Sequence, residues 1–514
     1  MPDSTEKLFG EFPPVATADW SATVAKDLKG KDPATLDWKT EDGFAVKPYY
    51  RAEDVKEPLP VPLKGRPGWA IRHEIAISDA TEANAIAKRA VDRGAQEILF
   101  SGITEADRHI AAEGLKVPVR FRFDHVIRSD RWHNAGATTV QELAFTLAEA
   151  VEHLNAAGAG AAKDLEFEFA IGPNYFFEIA KLRAARSLWA QIIAAYGLSV
   201  KMSIAARTST WNQTVYDPHN NLLRGTTEAM AAALGGADAI TVVPFDESYR
   251  EPDDFSRHLA LNTQLILRDE AYFDKVTDPA AGSYYLECLT ENIAREAWKL
   301  FQEVEAKGGL SAAATFVDET VARSRDARNK LISQRRRVFV GVNQYPNLRE
   351  EVLRQVEKEP PAYRATVAFE NLRLTTEKYA KRSGRKPVVL LLTLGDRKMR
   401  RARADYATNF FGIAGFTISE PPAFDSAEAA ADYAKDAKAD IAVLCSSDPE
   451  YPSIAGPLIS RLRAGGGTTP VLVAGYPADS IDALRAAGVA DFVHIKSDPI
   501  ATLKTWQQKL GVSQ

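Results

Sequence analysis

Five short strand-like segments near the C-terminal end constrain the fold more than any other feature of this chain. They are Pro387–Leu394, Phe416–Glu420, Asp440–Ser446, Pro470–Tyr476 and Phe492–Ile495, each separated from the next by a helical stretch. Strands that alternate with helices pair in parallel, because the crossover helix returns the chain to the same end of the sheet. Residues 387–514 therefore read as a five-stranded doubly wound domain of the flavodoxin type.

The same alternation runs through residues 66–345. Ala70–Ile77, Ile98–Ser101, Val119–Asp124, Glu166–Gly172, Val200–Ala206 and Ala239–Phe245 read as strands. Between them lie a helix opened by Asp79-x-x-Glu82 and stopped by Gly94, and one with Val140, Leu143, Leu147, Val151 and Leu154 on one face. A third helix aligns Leu182, Ala185, Leu188, Ile192 and Tyr196. The class is α/β, with a (β/α) barrel of the TIM type that is shortened or incomplete, since six strands are readable where a full barrel needs eight. Residues 1–65 form a proline-rich arm with a short helix at Trp20–Leu28. The apolar groups of the arm (Phe12, Trp20, Leu28, Leu36, Trp38) need cover from its own barrel or from a partner. Residues 346–386 read as a linker of two helices around a Pro360-Pro361 break.

Composition excludes several function classes. Lys and Arg total 64 against 69 Asp and Glu, a net charge of −5, so the chain carries no electrostatic footprint for nucleic acid. Two cysteines, Cys288 and Cys445, are too few for a disulfide framework or a cysteine-based zinc site, and no His-x-x-x-His pattern or carboxylate cluster offers another metal. No apolar run approaches the ~18 residues of a membrane span, and the polar opening MPDSTEKLFGEF is not a signal peptide. A soluble cytoplasmic protein without a membrane partner is expected.

Barrel chemistry is expected at the C-terminal ends of strands, which here offer Asp124-His125, Asn174, Arg207-Thr208-Ser209 and Asp246-Glu247. Asp124-His125 reads either as an acid–base pair or as a loop cap. Arg120-Phe121-Arg122-Phe123 and Glu166-Phe167-Glu168-Phe169 put charges on one strand face and phenyl rings on the other, which predicts Arg–Glu pairing and a bore too full for a threaded substrate. In the C-terminal domain the first strand-to-helix turn lacks both G-x-G-x-x-G and a P-loop. It carries instead Arg397, Lys398, Arg400, Arg401 and Arg403. Cations at a helix start oppose the macrodipole by roughly 0.3–1 kcal/mol each. They are either solvated or balanced by an anion.

Taken together, these segments resemble the acyl-coenzyme A mutases, and among them the small-subunit pattern of heterodimeric methylmalonyl-CoA mutase. The likeness covers nearly the whole chain. It rests on Phe12-Pro13-Pro14, Asp27-Leu28-Lys29-Gly30, Trp38-Lys39-Thr40, Asn134-Ala135-Gly136-Ala137-Thr138, Ala180–Arg186 with Trp189, Asn221-Leu222-Leu223-Arg224, Gly235–Ile240, Asn262-Thr263-Gln264 and Gly282-Ser283-Tyr284-Tyr285. The resemblance implies a family that isomerises (R)-methylmalonyl-CoA and succinyl-CoA through radicals. Its catalytic subunit holds adenosylcobalamin between a coenzyme A-threaded barrel and a flavodoxin-like domain.

In that subunit a histidine of an Asp-x-His-x-x-Gly turn ligates cobalt; here Lys398, Arg400 and Arg403 stand at those positions. The catalytic Tyr-His before Ala-Gly-Ala-Thr is replaced within Asp130-Arg131-Trp132-His133-Asn134. The resemblance therefore implies a chain without catalytic residues, cofactor or metal of its own, which binds a catalytic large subunit carrying adenosylcobalamin. Arg207, Ser209 and Thr214 remain as substrate-site remnants. Two other readings are a mutase active in its own right, with cobalamin that histidine does not ligate, and an anion-binding module built on Arg397–Arg403.

Overall fold

The computed structural model describes residues 11–55, 57–65, 67–122, 126–351 and 363–513. Its strands are β1 (Trp38–Lys39), β2 (Ala45–Val46), β3 (Ala70–Ile75), β4 (Glu97–Phe100), β5 (Val119–Phe121), β6 (Val126–Arg128), β7 (Glu166–Ile171), β8 (Ser203–Thr208), β9 (Ala239–Thr241), β10 (Val388–Thr393), β11 (Thr417–Ser419), β12 (Ile441–Cys445), β13 (Val471–Ala474) and β14 (Asp491–Val493).

Strands β3 to β9 form one curled parallel sheet in the order β5-β4-β3-β9-β8-β7-β6. The last strand pairs with the first, Ala70 opposite Ala239, so the chain runs round the sheet in barrel order. No ladder joins β5 to β6 among the described residues, and the seam stays open there. The incomplete barrel expected from the sequence is thus a seven-stranded curled sheet, with β6 as a strand beyond the six that the sequence reveals.

Alternation along the strands sorts side chains by face. Ile71, Ile75, Ile98, Phe100, Phe121, Phe167, Phe169 and Ile204 face outward into the main core. They pack there under helices such as Thr139–Ala157, Tyr175–Ala195 and Tyr284–Ala306. The charged residues face the bore. Arg72 on β3 donates to both oxygens of Glu166 on β7, at 2.9 and 2.7 Å, although β9 and β8 lie between those strands in the sheet. Such bonds only form across the interior. Arg72 also reaches Glu97 at 3.0 Å, and Arg120 binds Glu97 at 2.9 Å. A second tier joins Glu74 to Arg207 at 2.7 Å and to Arg122, which also binds Glu168. Each cation in these tiers meets carboxylates on more than one strand or spans non-neighbouring strands, so the network ties the curl together from inside.

The C-terminal domain is the expected five-stranded parallel sheet, in the order β11-β10-β12-β13-β14. Leu390, Leu392 and Leu444 pack on one face under helices Ala427–Asp436 and Tyr451–Ala464. Val389, Leu391 and Val443 pack on the other, where Phe410, Phe411 and Trp506 continue into Trp211, Tyr216 and Phe339 at the mouth of the curled sheet. The two lobes share this core. Helix Val367–Ser383 lies within the expected linker and receives Gln507 Nε2 on Leu372 O at 2.7 Å. The Pro360-Pro361 break lies outside the described residues.

The arm divides in two. Its β1–β2 hairpin packs on the curled sheet, with Val46 buried and Phe44 stacked on Phe177 at 5.9 Å. The helix Thr17–Asp27 buries none of its residues. No helix among the described residues is long and apolar enough to cross a membrane.

Candidate functional site

A cavity of about 700 Å³ opens at the C-terminal mouth of the curled sheet. Several distant pieces of chain enclose it: the hairpin around Trp38–Asp42, the stretch from His133 to Thr139, the segments that follow β7 and β8, the helix start from Asn220 to Thr227, and the segment from Arg328 to Val340. Asn174, one of the strand-end candidates, lines it. His133, on the helix Asp130–Ala135, lies at its floor, with Nε2 3.0 Å from Ser209 Oγ and Nδ1 3.6 Å from Glu142. Gly172 permits this packing, since a Cβ there would sit 2.8 Å from the imidazole.

The order Ser209–His133–Glu142 has the look of a nucleophile relay, but its parts are committed elsewhere. Ser209 is buried, and its Oγ also accepts the Trp211 N–H at 3.1 Å. Glu142 accepts from Lys181 at 2.8 Å and from Ser129 at 2.9 Å. Burial pushes the Glu142 carboxyl up, but Lys181 and His133 together outweigh it and hold the group below the usual carboxylate range. Beside this cluster, burial raises Glu228 well above its ordinary value, although Asn212 donates to it at 2.6 Å. These are structural acids under the cavity floor.

The other sequence candidates fall in different places. Arg207 lies in the bore on Glu74, and its charged state is favoured there despite burial. Thr214 donates to Tyr216 O at 2.8 Å and receives Arg224 at 2.9 Å. Asp246 is buried and receives Arg250 at 2.8 Å. Asp124 and His125 lie outside the described residues. Sequence reasoning missed Arg224, Arg336 and Glu178 on the cavity wall, because residues so far apart in sequence give no local pattern.

In the C-terminal domain, the crevice at the ends of β10 and β12 is filled by the chain's own Glu450. This carboxylate accepts from the hydroxyls of Ser446 at 2.7 Å and Ser447 at 2.6 Å, and from Asp396 N–H at 3.1 Å. Gly395 has φ +71°, and a Cβ there would meet Glu450 at 2.5 Å. The basic turn that follows is balanced only in part: among the described residues Arg401 and Arg403 have carboxylate partners and Arg397, Lys398 and Arg400 have none. Asp396 caps the helix through Met399 N–H, Arg401 pairs with Asp405 and Glu420, and Arg403 pairs with Asp448 at 2.9 Å.

The hydroxyl and amide donors around Glu450 lower its pKa to about 2. Its stabilising effect is complete above the ordinary carboxylate pKa and is lost as the pH falls through the lowered one. The urea midpoint of the parent should therefore exceed that of Glu450→Gln at pH 7. The gap should narrow steadily as the pH is lowered from about 4.5 toward about 2. A pH-independent gap would assign the effect to shape, not charge.

A model of the family described as methylmalonyl-CoA mutase matches residues 123–386. The chain is 36% identical to a methylmalonyl-CoA mutase small subunit of Porphyromonas gingivalis over the full length of both. The chain belongs to the methylmalonyl-CoA mutase family. It is also 36% identical to a small subunit of Streptomyces virginiae, over 74% of this chain and 63% of that protein. A methylmalonyl-CoA mutase of Cereibacter sphaeroides is 30% identical over 70% of this chain and 69% of its own.

The resemblance sets Arg400 where a cobalt-ligating histidine is expected. Its guanidinium has no lone pair for a metal, and its Nη1 donates to Gly395 O at 3.1 Å. His494 leans on Tyr476 at 4.6 Å, and its Nδ1 accepts Lys496 N–H at 3.3 Å. With Glu450 inside the crevice, these side chains do not fit a cobalt ligand set.

Proposed function

We propose that this chain is the non-catalytic small subunit of a heterodimeric adenosylcobalamin-dependent methylmalonyl-CoA mutase. In this reading it binds and stabilises a cytoplasmic large subunit, which carries the cofactor and interconverts (R)-methylmalonyl-CoA and succinyl-CoA. Relatives named small subunits support it, because that name presupposes a larger partner. Ion pairs of the described residues occupy the bore, where a threaded coenzyme A arm would have to pass.

The observation that carries the proposal is the arm. Helix Thr17–Asp27 buries nothing within the chain, and Phe12, Val15 and Trp20 are 70%, 56% and 43% exposed. Arg51 holds the arm in place through Val15 O at 2.8 Å, and Trp20 meets Tyr49 edge-on at 5.6 Å. An ordered apolar segment that its own fold leaves uncovered is suited to bury area on another subunit.

Co-expression with the large subunit from the same organism tests this. A one-to-one complex, with mutase activity that depends on the partner and on adenosylcobalamin, is the expected result. Removal of residues 1–30, which spares the β1–β2 hairpin, should abolish co-elution on size exclusion. Unchanged complex yield would remove the arm from the interface, and mutase activity of this chain alone would overturn the proposal.

A further inference from the structure

The cavity at the sheet mouth carries more positive charge than its own carboxylates balance. Its acids are Glu41, Asp42 and Glu178. Glu178 is committed to buried Lys181 at 2.6 Å. Asp42 accepts Val140 N–H at 2.8 Å, and burial raises its carboxyl toward the neutral form. Glu41 remains as the full anion and is shared by Arg328 at 2.8 Å and Arg337 at 2.6 Å. Lys39, Arg224 and Arg336 also line the cavity, and the ion pairs of the described residues give none of them a carboxylate.

Arg224 states the deficit most sharply. Its guanidinium donates to Thr214 Oγ1 at 2.9 Å, Asn221 Oδ1 at 2.8 Å and Val340 O at 2.8 Å, all of them neutral acceptors. Burial outweighs the carboxylates of Glu228, Asp217 and Glu370, none of which it pairs with, and pulls its pKa below the ordinary arginine value. A single carboxylate ligand would leave two of the three cations unanswered, whereas a polyphosphate offers each its own oxygen.

The apolar wall distinguishes ring-bearing ligands from simple polyanions. Trp211 is engaged by Arg328 and Arg337, each 5.0 Å from its ring centroid. Trp38 meets Phe177 edge-on at 5.3 Å and is 47% exposed, so ring surface remains for a planar partner.

We propose that this cavity binds a nucleoside triphosphate, with its phosphates held by Lys39, Arg224 and Arg336 and its base against Trp38. The volume lies inside the ~300–1,000 Å³ range of small-molecule sites. The site draws on the β1–β2 hairpin of the arm and uses no residue of the helix Thr17–Asp27.

Isothermal titration of the full-length chain with ATP, tripolyphosphate, adenosine and coenzyme A tests the assignment. ATP should bind saturably at one site per chain, more weakly at higher salt, and more tightly than tripolyphosphate or adenosine. Lys39 and Arg336 are both exposed, so K39A/R336A keeps the fold. Loss of two charge-assisted contacts should weaken ATP at least tenfold. W38A should weaken ATP and leave tripolyphosphate unchanged. No saturable ATP binding at millimolar concentration, equal affinity for tripolyphosphate, tighter binding of coenzyme A than of ATP, or an unaffected K39A/R336A variant would each overturn the proposal.

Discussion

Lys181→Met is expected to cost about 3–5 kcal/mol of unfolding free energy, the size of breaking a buried ion pair from one side. Lys181 is fully buried, with Nζ 2.8 Å from Glu142, 2.6 Å from Glu178 and 2.7 Å from Ala170 O. Burial pulls the Lys181 pKa down, but the two carboxylates outweigh it and keep the ammonium charged. Methionine fills similar space and supplies none of this charge, so two desolvated carboxylates are left facing each other. Urea unfolding at pH 7 measures the loss. Glu178→Gln in the same chain should recover part of it, because one of the stranded acids is then neutral. A loss below about 1 kcal/mol would mean that water reaches the cluster once the ammonium is gone.

The bore gives a second large effect, with opposite signs for partial and complete replacement. Arg72→Met leaves Glu166 and Glu97 buried with only Arg120 nearby, and should cost about 3–5 kcal/mol. Side chains of Arg72, Glu97 and Glu166 are 1%, 8% and 6% exposed, so solvent cannot repair the break. The triple variant R72M/E97M/E166M removes charge and counter-charge together. It should recover most of that loss or exceed the parent, since well-packed apolar groups often replace a buried ionic cluster without cost. Arg120 is 43% exposed and can turn to water. A triple variant less stable than R72M alone would show that the pairs hold the curl in a way that apolar packing does not reproduce.

How far the sequence revealed this molecule depends on the range of the interaction. The C-terminal sheet was legible because its central strands β10, β12 and β13 are continuous buried apolar runs, with helices between. The bore network was legible in outline from the Arg-Phe-Arg-Phe and Glu-Phe-Glu-Phe alternations, which name the face on which each charge must lie. Strand β6 was not, since Val126–Arg128 is three residues long and shows no alternation. The cavity was hidden for a different reason: Trp38, Glu178, Arg224 and Arg336 come from four distant stretches and meet only after folding. Glu450 was hidden too, because a lone acid after Ser446-Ser447-Asp448 gives no sign that it will turn back into the crevice. The arm was half legible: its apolar residues demanded cover, and only the structure separates the hairpin, covered in cis, from the helix left bare.

The core that runs from Trp211, Tyr216 and Phe339 into Phe410, Phe411 and Trp506 determines which motions remain to the chain. Two lobes can swing apart when water re-enters the seam between them at little expense. Here the seam is the inside of a hydrophobic core, and Tyr216 O–H on Glu377 at 3.0 Å and Arg335 on Asn409 at 2.9 Å bolt its edges. Parting the lobes would wet the same aromatic rings that hold the second sheet in shape. The molecule is therefore built as a fixed bracket, and the bare helix Thr17–Asp27 is carried on it through Arg51 and Tyr49.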